Sequence, residues 1–125
     1  ADGKEKIGFT ASLLKGAIPP GLEAGTATTI GVVATDAVLT KAQAAKLAQH
    51  AHDGLARTID PIHTMWDGDT IFALATGTSG RAGNMMALGA IAAHVMAAAV
   101  IRAVVHATGV APAGGPAIPA AAEFG

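Results

Sequence analysis

The first residues whose spacing points to chemistry are two carboxylates separated by a glycine, Asp67-Gly68-Asp69. In an extended chain, side chains two residues apart project to the same side, so both carboxylates lie together. Because close carboxylates oppose each other's ionisation, such a pair raises one pKa and can hold a proton or orient an amine or hydroxyl. The same residues also suit a polar turn before a strand. The spacing alone leaves both interpretations open.

A cluster of threonines, Thr26, Thr28 and Thr29, opens an apolar run and forms a second candidate. A threonine hydroxyl acts as a nucleophile when a neighbouring amine serves as its base, as at a freed chain terminus. Threonine is also common in strands for its shape alone. The cluster therefore indicates either a nucleophile or simply the start of a strand.

The segment 77–84 is rich in glycine and offers backbone amides that could cradle an anion. It matches neither the P-loop nor the dinucleotide fingerprint, and a flexible connection also explains it. The histidines do not form a metal pair at i, i+4 spacing, since His50 and His52 are two residues apart. We expect no metal and no cofactor.

Hydrophobic patterning predicts four elements in the order strand, helix, strand, helix. The strands cover 28–36 and 70–76, and the second helix covers 85–107. The first helix starts after Thr40, which forms a capping box with Gln43. Both strands are apolar on both faces, which is typical of strands buried on both sides. This is an α/β fold, a βαβα unit, and two strands need partner strands from another chain or segment.

Composition excludes several classes of protein. The chain has 125 residues, of which 51% are apolar, 14% charged and none cysteine. Such apolar chains are not disordered, and without thiols no disulfide framework forms. A net charge of -1 provides no excess of basic residues, so the composition does not indicate a nucleic-acid-binding protein. The lack of cysteine fits a reducing compartment, and we expect a cytoplasmic location.

The low polarity indicates either a membrane span or a surface that faces other protein. The apolar stretch 85–101 is near the minimum length for a span, has alanine as its commonest residue and has no flanking Trp or Tyr. We therefore expect a buried helix and no membrane. Along the chain we predict an arm at 1–27, a core at 28–110 and a flexible Pro/Gly/Ala tail at 111–125.

Four colinear blocks, at 28–37, 39–43, 51–57 and 67–77, resemble the β-subunit of the L-aminopeptidase/D-esterase family, which includes β-aminopeptidases and nylon-oligomer hydrolases. The resemblance implies an N-terminal-nucleophile hydrolase, in which the precursor cuts itself before the nucleophile. The matching positions make Thr28 the nucleophile and, through its freed amine, the base. Asp67 and Asp69 match the acidic pair that holds the amine and hydroxyl.

The resemblance also implies partners. The βαβα unit would be part of a four-layer αββα sandwich completed by an α-subunit of the same precursor, which would supply most oxyanion donors. The αβ units would assemble into a homo-oligomer. The implied substrate is a short peptide, a β-peptide or an ω-amino-acid amide.

The sequence departs from the family pattern at Ala27, where Asn or Gly is common. In addition, residues 1–27 are still attached, so Thr28 has no free α-amine and this form should be inactive. Two alternatives therefore stay open. One is a non-catalytic or unprocessed assembly subunit, and the other is an anion-binding α/β module that uses residues 77–84.

Overall fold

The computed structural model describes residues 9–17 and 27–124. Its elements are α1 (Phe9–Leu14), β1 (Ile30–Thr35), α2 (Lys41–Ala56), β2 (Thr70–Ala75) and α3 (Met85–Val105), followed by a 3-10 helix at Ala121–Phe124. From β1 to α3 the predicted order of strand, helix, strand, helix is confirmed, and β1, β2 and α3 are each one or more residues shorter than expected. The helix α1 was not predicted. Most of the predicted arm lies outside the described residues.

The strands β1 and β2 pair in parallel, with Ile30 opposite Thr70 and Thr35 opposite Ala75. Parallel neighbours require a crossover, and α2 provides it. The described chain is therefore a small α/β unit with a two-stranded parallel sheet. The sandwich and its completion by a further subunit remain predictions.

The helix α2 begins as predicted, with a capping box. The Gln43 N–H donates to the Thr40 hydroxyl at 3.2 Å, and the Thr40 N–H donates to Gln43 Oε1 at 2.8 Å. These two bonds satisfy backbone donors that the first turn cannot pair internally. The helix buries Leu47, Ala51, Gly54 and Leu55.

The helix α3 packs closely against α2 along a stripe of small residues. Its buried residues, Gly89, Ala92, Ala93 and Met96, follow the spacing of one helix face. A methyl group at Gly54 would lie 2.5 Å from the Ala93 carbonyl oxygen, so the two backbones approach too closely for any side chain there. This contact joins the helices into one layer over the sheet.

The two faces of the sheet differ. The face toward the helices carries Val33 and Ile71, which are buried in the core. The opposite face, which we call the outer sheet face, carries Ile30, Val32, Phe72 and Leu74, which are 71%, 64%, 59% and 56% exposed. Within the described chain the helices cover the sheet on one side only. Burial of the second face, which the sequence analysis expects from a partner, stays a prediction.

By length and composition, α3 could also cross a bilayer, with a mean hydropathy of 2.0 in its most apolar window. The expectation that it does not enter a membrane stays a prediction. Beyond α3, Val110 and Ile118 form an antiparallel bridge, and Ala120 is buried. The flexibility predicted for this tail concerns motion and also stays a prediction.

Candidate active site at the start of the two strands

The pairing of β1 and β2 continues upstream of the strands and brings Thr28 opposite the acidic segment. Ala27 and Asp67 form a parallel bridge, in which the Gly68 N–H donates to the Ala27 carbonyl oxygen at 2.9 Å. One step further along, the Thr70 N–H donates to the Thr29 carbonyl oxygen, also at 2.9 Å. The parallel register thus brings together residues 40 positions apart in the chain.

Thr28 is exposed, and its hydroxyl lies beside Gly68. A methyl group built at Gly68 would be 2.9 Å from Thr28 Oγ1 and 3.8 Å from its Cγ2. The hydroxyl therefore occupies the space that a side chain at position 68 would need. Thr28 is also an ordinary backbone residue, joined to Ala27, so its nitrogen is an amide and not an amine.

Asp69 is held inside this edge of the sheet, with a side chain only 3% exposed. Its Oδ1 accepts the Thr29 N–H at 2.9 Å. Its Oδ2 accepts the His63 N–H at 3.3 Å and lies 2.8 Å from His63 Nδ1. Both carboxylate oxygens are thus held by hydrogen bonds, and Oδ1 binds Thr29, the residue directly after Thr28.

The electrostatics of Asp69 follow from these bonds. Burial alone would raise the pKa of its carboxyl group, because burial penalises the charged form. The hydrogen bonds from Thr29 and His63 stabilise the charged form and outweigh burial, so the pKa of Asp69 is lowered. The sequence predicts a raised pKa for one carboxyl of the pair, and Asp69 is not that carboxyl, because these donors stabilise its anion.

Asp67 makes a different set of contacts. Its Oδ2 accepts the Thr64 N–H at 2.6 Å, while its own N–H donates to the Thr64 carbonyl oxygen at 3.1 Å. The Trp66 N–H adds a bond to the Thr64 hydroxyl at 3.3 Å. Asp67 therefore closes the turn that leads into the acidic segment. The polar-turn interpretation describes the contacts of this residue. Its role in a site stays a prediction.

His63 is a contact of the site that the sequence analysis did not identify. It is a non-glycine residue in the left-handed region, with φ of 57°, and its ring centroid lies 4.9 Å from that of His52. His63 and Asp69 are six residues apart on an irregular loop, a spacing that matches neither a helix nor a strand. No periodic pattern in the sequence therefore indicates this contact. Among the described residues, no group of three or more His, Cys, Asp or Glu side chains could hold a metal ion. The expectations of no metal and no cofactor remain predictions.

A cavity of about 360 Å³ opens next to Thr28. Its wall is largely apolar, with Ile59, Ile62 and Trp66, and it includes the carboxylate-bearing residues Asp60 and Asp67. Asp60 Oδ1 also accepts the Thr10 hydroxyl at 3.0 Å, which ties α1 to this loop. A small molecule in this cavity would lie against the Thr28 side of the sheet edge.

The glycine-rich loop at 77–84 lies at the other end of the strands. Three of its amides donate to backbone carbonyl oxygens: Ser79 N–H to that of Asp36, Gly80 N–H to that of Gly77 and Gly83 N–H to that of Val38. Arg81 N–H donates to the Ser79 hydroxyl. Amides engaged in this way are not free to cradle an anion, so the geometry disfavours the anion-binding alternative.

Comparison with known proteins gives a consistent result. The model of peptidase family S58 matches residues 3–117. An uncharacterised aminopeptidase of Mycobacterium tuberculosis is 47% identical over 97 residues, covering 67% of this chain and 28% of the relative. A 6-aminohexanoate-oligomer endohydrolase of Agromyces sp. is 40% identical over 97 residues, covering 69% of this chain and 27% of the relative. The chain thus spans less than a third of the length of these relatives.

Proposed function

This chain belongs to peptidase family S58, which confirms the relation to the L-aminopeptidase/D-esterase family, and on that premise we propose that it carries the nucleophile of a self-processing amide hydrolase. Cleavage of the Ala27–Thr28 bond would free the α-amine of Thr28. The observation that carries this proposal is the parallel bridge between Ala27 and Asp67, which sets Thr28 against Gly68 and Asp69.

In this proposal Thr28 has two roles. Its hydroxyl attacks the substrate carbonyl, and its freed α-amine takes the hydroxyl proton. An ester between the substrate acyl group and Thr28 Oγ1 forms, the amine product leaves, and water then releases the acid. Because nucleophile and base belong to one residue, the site needs neighbours that orient Thr28 rather than a second base.

Asp69 is suited to orienting this residue. Its carboxylate holds the Thr29 N–H at 2.9 Å, which fixes the backbone immediately after the nucleophile. Since the pKa of Asp69 is lowered, the carboxylate is charged at neutral pH. A fixed negative charge near the α-amine favours the ammonium ion that forms when the amine accepts the proton.

Asp67 lies on the other side of Gly68 from Asp69, and we propose a positioning role for it as well. Its backbone pairs with Ala27, and its carboxylate holds the Thr64 N–H. Thr64 and Trp66 both line the cavity beside Thr28. Asp67 thus connects the nucleophile's strand to the wall that would contact the substrate, and with Asp69 it orients the amine and hydroxyl.

The cavity supports a small substrate. Its volume of about 360 Å³ is at the lower end of the range of ligand pockets, about 300–1,000 Å³. The apolar side chains Ile59, Ile62 and Trp66 suit the methylene groups of a short peptide, a β-peptide or an ω-amino-acid amide. We propose these as the substrate class.

The outer sheet face supports the proposed partner. The side chains of this face form a contiguous apolar surface on paired strands: Ile30, Val32, Phe72 and Leu74. Exposure of such a surface to water is unfavourable, and exposed apolar patches of this kind mark interaction sites. We propose that an α-subunit of the same precursor packs there, completes a four-layer αββα sandwich, and that the αβ units form a homo-oligomer. We propose a cytoplasmic enzyme that binds neither nucleic acid nor membrane.

Intact mass and turnover test the proposal together. The protein should yield a fragment that begins at Thr28 and should hydrolyse a small amide, whereas Thr28→Ala should do neither. The matched control is Thr78→Ala, an exposed threonine at the opposite end of the strands, which should retain both activities. Full activity of Thr28→Ala, or an uncut protein with full activity, contradicts the mechanism.

A second candidate is an unprocessed or non-catalytic assembly subunit. It is favoured by Ala27, which stands where the family pattern commonly has Asn or Gly. As long as the bond between Ala27 and Thr28 is intact, Thr28 has no amine to act as base. A stable, uncut protein without turnover, either alone or with an α-partner, would support this candidate.

A further inference from the structure

The scissile carbonyl of the proposed cleavage already has a hydrogen-bond donor. The Gly68 N–H points at the Ala27 carbonyl oxygen, with an N···O distance of 2.9 Å. We propose that Gly68 is a catalytic residue of self-cleavage, in which its N–H stabilises the oxyanion that forms on Ala27. This inference rests on the proposed cleavage before Thr28 and adds the group that activates the bond to be cut.

The reaction balances without any further reagent than water. Thr28 Oγ1 forms a bond to the Ala27 carbonyl carbon, and the carbonyl electron pair moves onto the oxygen that Gly68 holds. When that pair returns, the bond between the Ala27 carbon and the Thr28 nitrogen breaks, and the nitrogen takes the proton that the hydroxyl lost. Water then hydrolyses the ester, which leaves a carboxylate on Ala27 and restores the Thr28 hydroxyl.

The donor is preorganised by the sheet. The Ala27–Gly68 bond belongs to the same ladder as the Thr70 N–H bond to Thr29, and Asp69 clamps the Thr29 N–H from the side. Thr28 is therefore fixed between two anchored neighbours while the charge moves. A donor that is already in place needs no reorganisation when the oxyanion forms, which is the source of most oxyanion-hole stabilisation.

The absence of a side chain at Gly68 has a second consequence. A methyl group there would lie 2.9 Å from Thr28 Oγ1, closer than real contacts of that kind occur. A residue with a side chain would thus displace the hydroxyl that must attack. Glycine satisfies both needs between Asp67 and Asp69, since its N–H faces the Ala27 oxygen and its open side faces the hydroxyl.

An amide-to-ester exchange isolates the donor. In the unprocessed protein that carries this chain, glycolic acid in place of Gly68 substitutes an oxygen for the N–H and adds no side chain. The matched control is the corresponding α-hydroxy acid at Thr76, whose N–H donates to the Thr35 carbonyl oxygen at 3.0 Å. Each exchange removes one bond between the strands, but only the first touches the scissile carbonyl.

We expect the ester at position 68 to slow the appearance of the fragment beginning at Thr28 by about 100-fold or more. The ester at position 76 should leave the rate near that of the parent protein. Equal slowing by both esters, or no slowing at position 68, overturns the role of Gly68. Thermal unfolding midpoints of the two esters show whether they lose the same stability.

Gly68→Ala is a second variant that any expression host can make. It keeps the N–H but displaces the Thr28 hydroxyl, so cleavage should also slow while the protein stays folded. Unchanged cleavage in a folded Gly68→Ala overturns the steric part of the inference. If the parent protein is not cut before Thr28, or if Thr28→Ala is cut there, the proposed function fails as well. A third combination overturns the role of Gly68 and leaves the proposed function standing. In it the parent protein is cut, Thr28→Ala is not cut, and the position-68 ester is cut at the parent rate.

Discussion

The Asp69 carboxylate and the Thr29 N–H, 2.9 Å apart, connect the start of β2 to the residue that follows the proposed nucleophile. This hydrogen bond lies across the strand pair, is charged and partly buried, and is supported by His63 on the other carboxylate oxygen. It fixes the backbone directly after Thr28 and does not involve the bond between Ala27 and Thr28. The position of the proposed nucleophile therefore depends on a group that need not touch the substrate.

Asp69→Asn should weaken both folding and self-cleavage. The amide that replaces the carboxylate is neutral, and its NH2 group presents donors to the donors of His63. We expect the free energy of unfolding to fall by about 1.5–3 kcal/mol, the range for a hydrogen bond to a charged group. Urea denaturation gives this value, and intact mass gives the rate of cleavage. Asp53→Asn, on the exposed side of α2, is the control and should change neither.

The lowered pKa of Asp69 predicts a pH dependence of stability. An unfolded aspartate has a pKa of about 3.9, so the unfolded chain binds this proton more readily than the folded one. The stabilisation is complete above that value and is lost as the pH falls through the lower folded pKa. Denaturation midpoints between pH 6 and pH 2.5 should show this loss, and Asp69→Asn should reduce its slope. An equally steep loss in the variant contradicts the assignment to Asp69.

His63 should donate to Asp69 through Nδ1. The neutral ring is therefore expected to carry its proton on Nδ1, which nitrogen-15 chemical shifts of the imidazole report. His63→Ala removes this donor and should lower the free energy of unfolding by about 1 kcal/mol. His63→Asn keeps a side-chain N–H and tolerates the left-handed φ of 57°, so it should recover much of the loss. Equal losses in the two variants contradict a role for the donor.

The sequence predicts the elements better than the contacts between them. The capping box of Thr40 and Gln43 and the two apolar strands depend on local patterns, and the structure contains them. The approach of Thr28 to Asp67 and Asp69 follows once the strands are parallel neighbours, because equivalent ends then meet. His63 could not be predicted, since an irregular loop with a positive φ brings it to Asp69. Whether one or both faces of the sheet are buried depends on which elements or partners cover them. The composition of the strands does not give that information.

Gly54 should be intolerant of any side chain. A methyl group there would meet the Ala93 carbonyl oxygen at 2.5 Å and the Ala97 nitrogen at 2.9 Å, both of which are backbone atoms of α3. The helices would have to move apart, and overpacking of this kind costs about 1–3 kcal/mol. Gly31→Ala is the matched control, because the closest contact of its methyl group would be the flexible end of Met96 at 2.9 Å, with no backbone atom among its nearest neighbours. Thermal unfolding should show a clear loss for Gly54→Ala and a smaller change for Gly31→Ala, and the opposite order contradicts the packing described for α2 and α3.

The outer sheet face should make this chain associate when no partner covers it. Val32 and Phe72 face each other across the strand pair and are largely exposed, so replacing both with serine removes apolar surface without opening the core. We expect sedimentation of the isolated chain to shift from oligomer or aggregate toward monomer in the double variant. Val33→Ser, on the buried face of the same strand, should instead destabilise the fold and not improve solubility. If an α-subunit binds the outer sheet face, the double variant should also lose that association, and its retention would place the partner elsewhere.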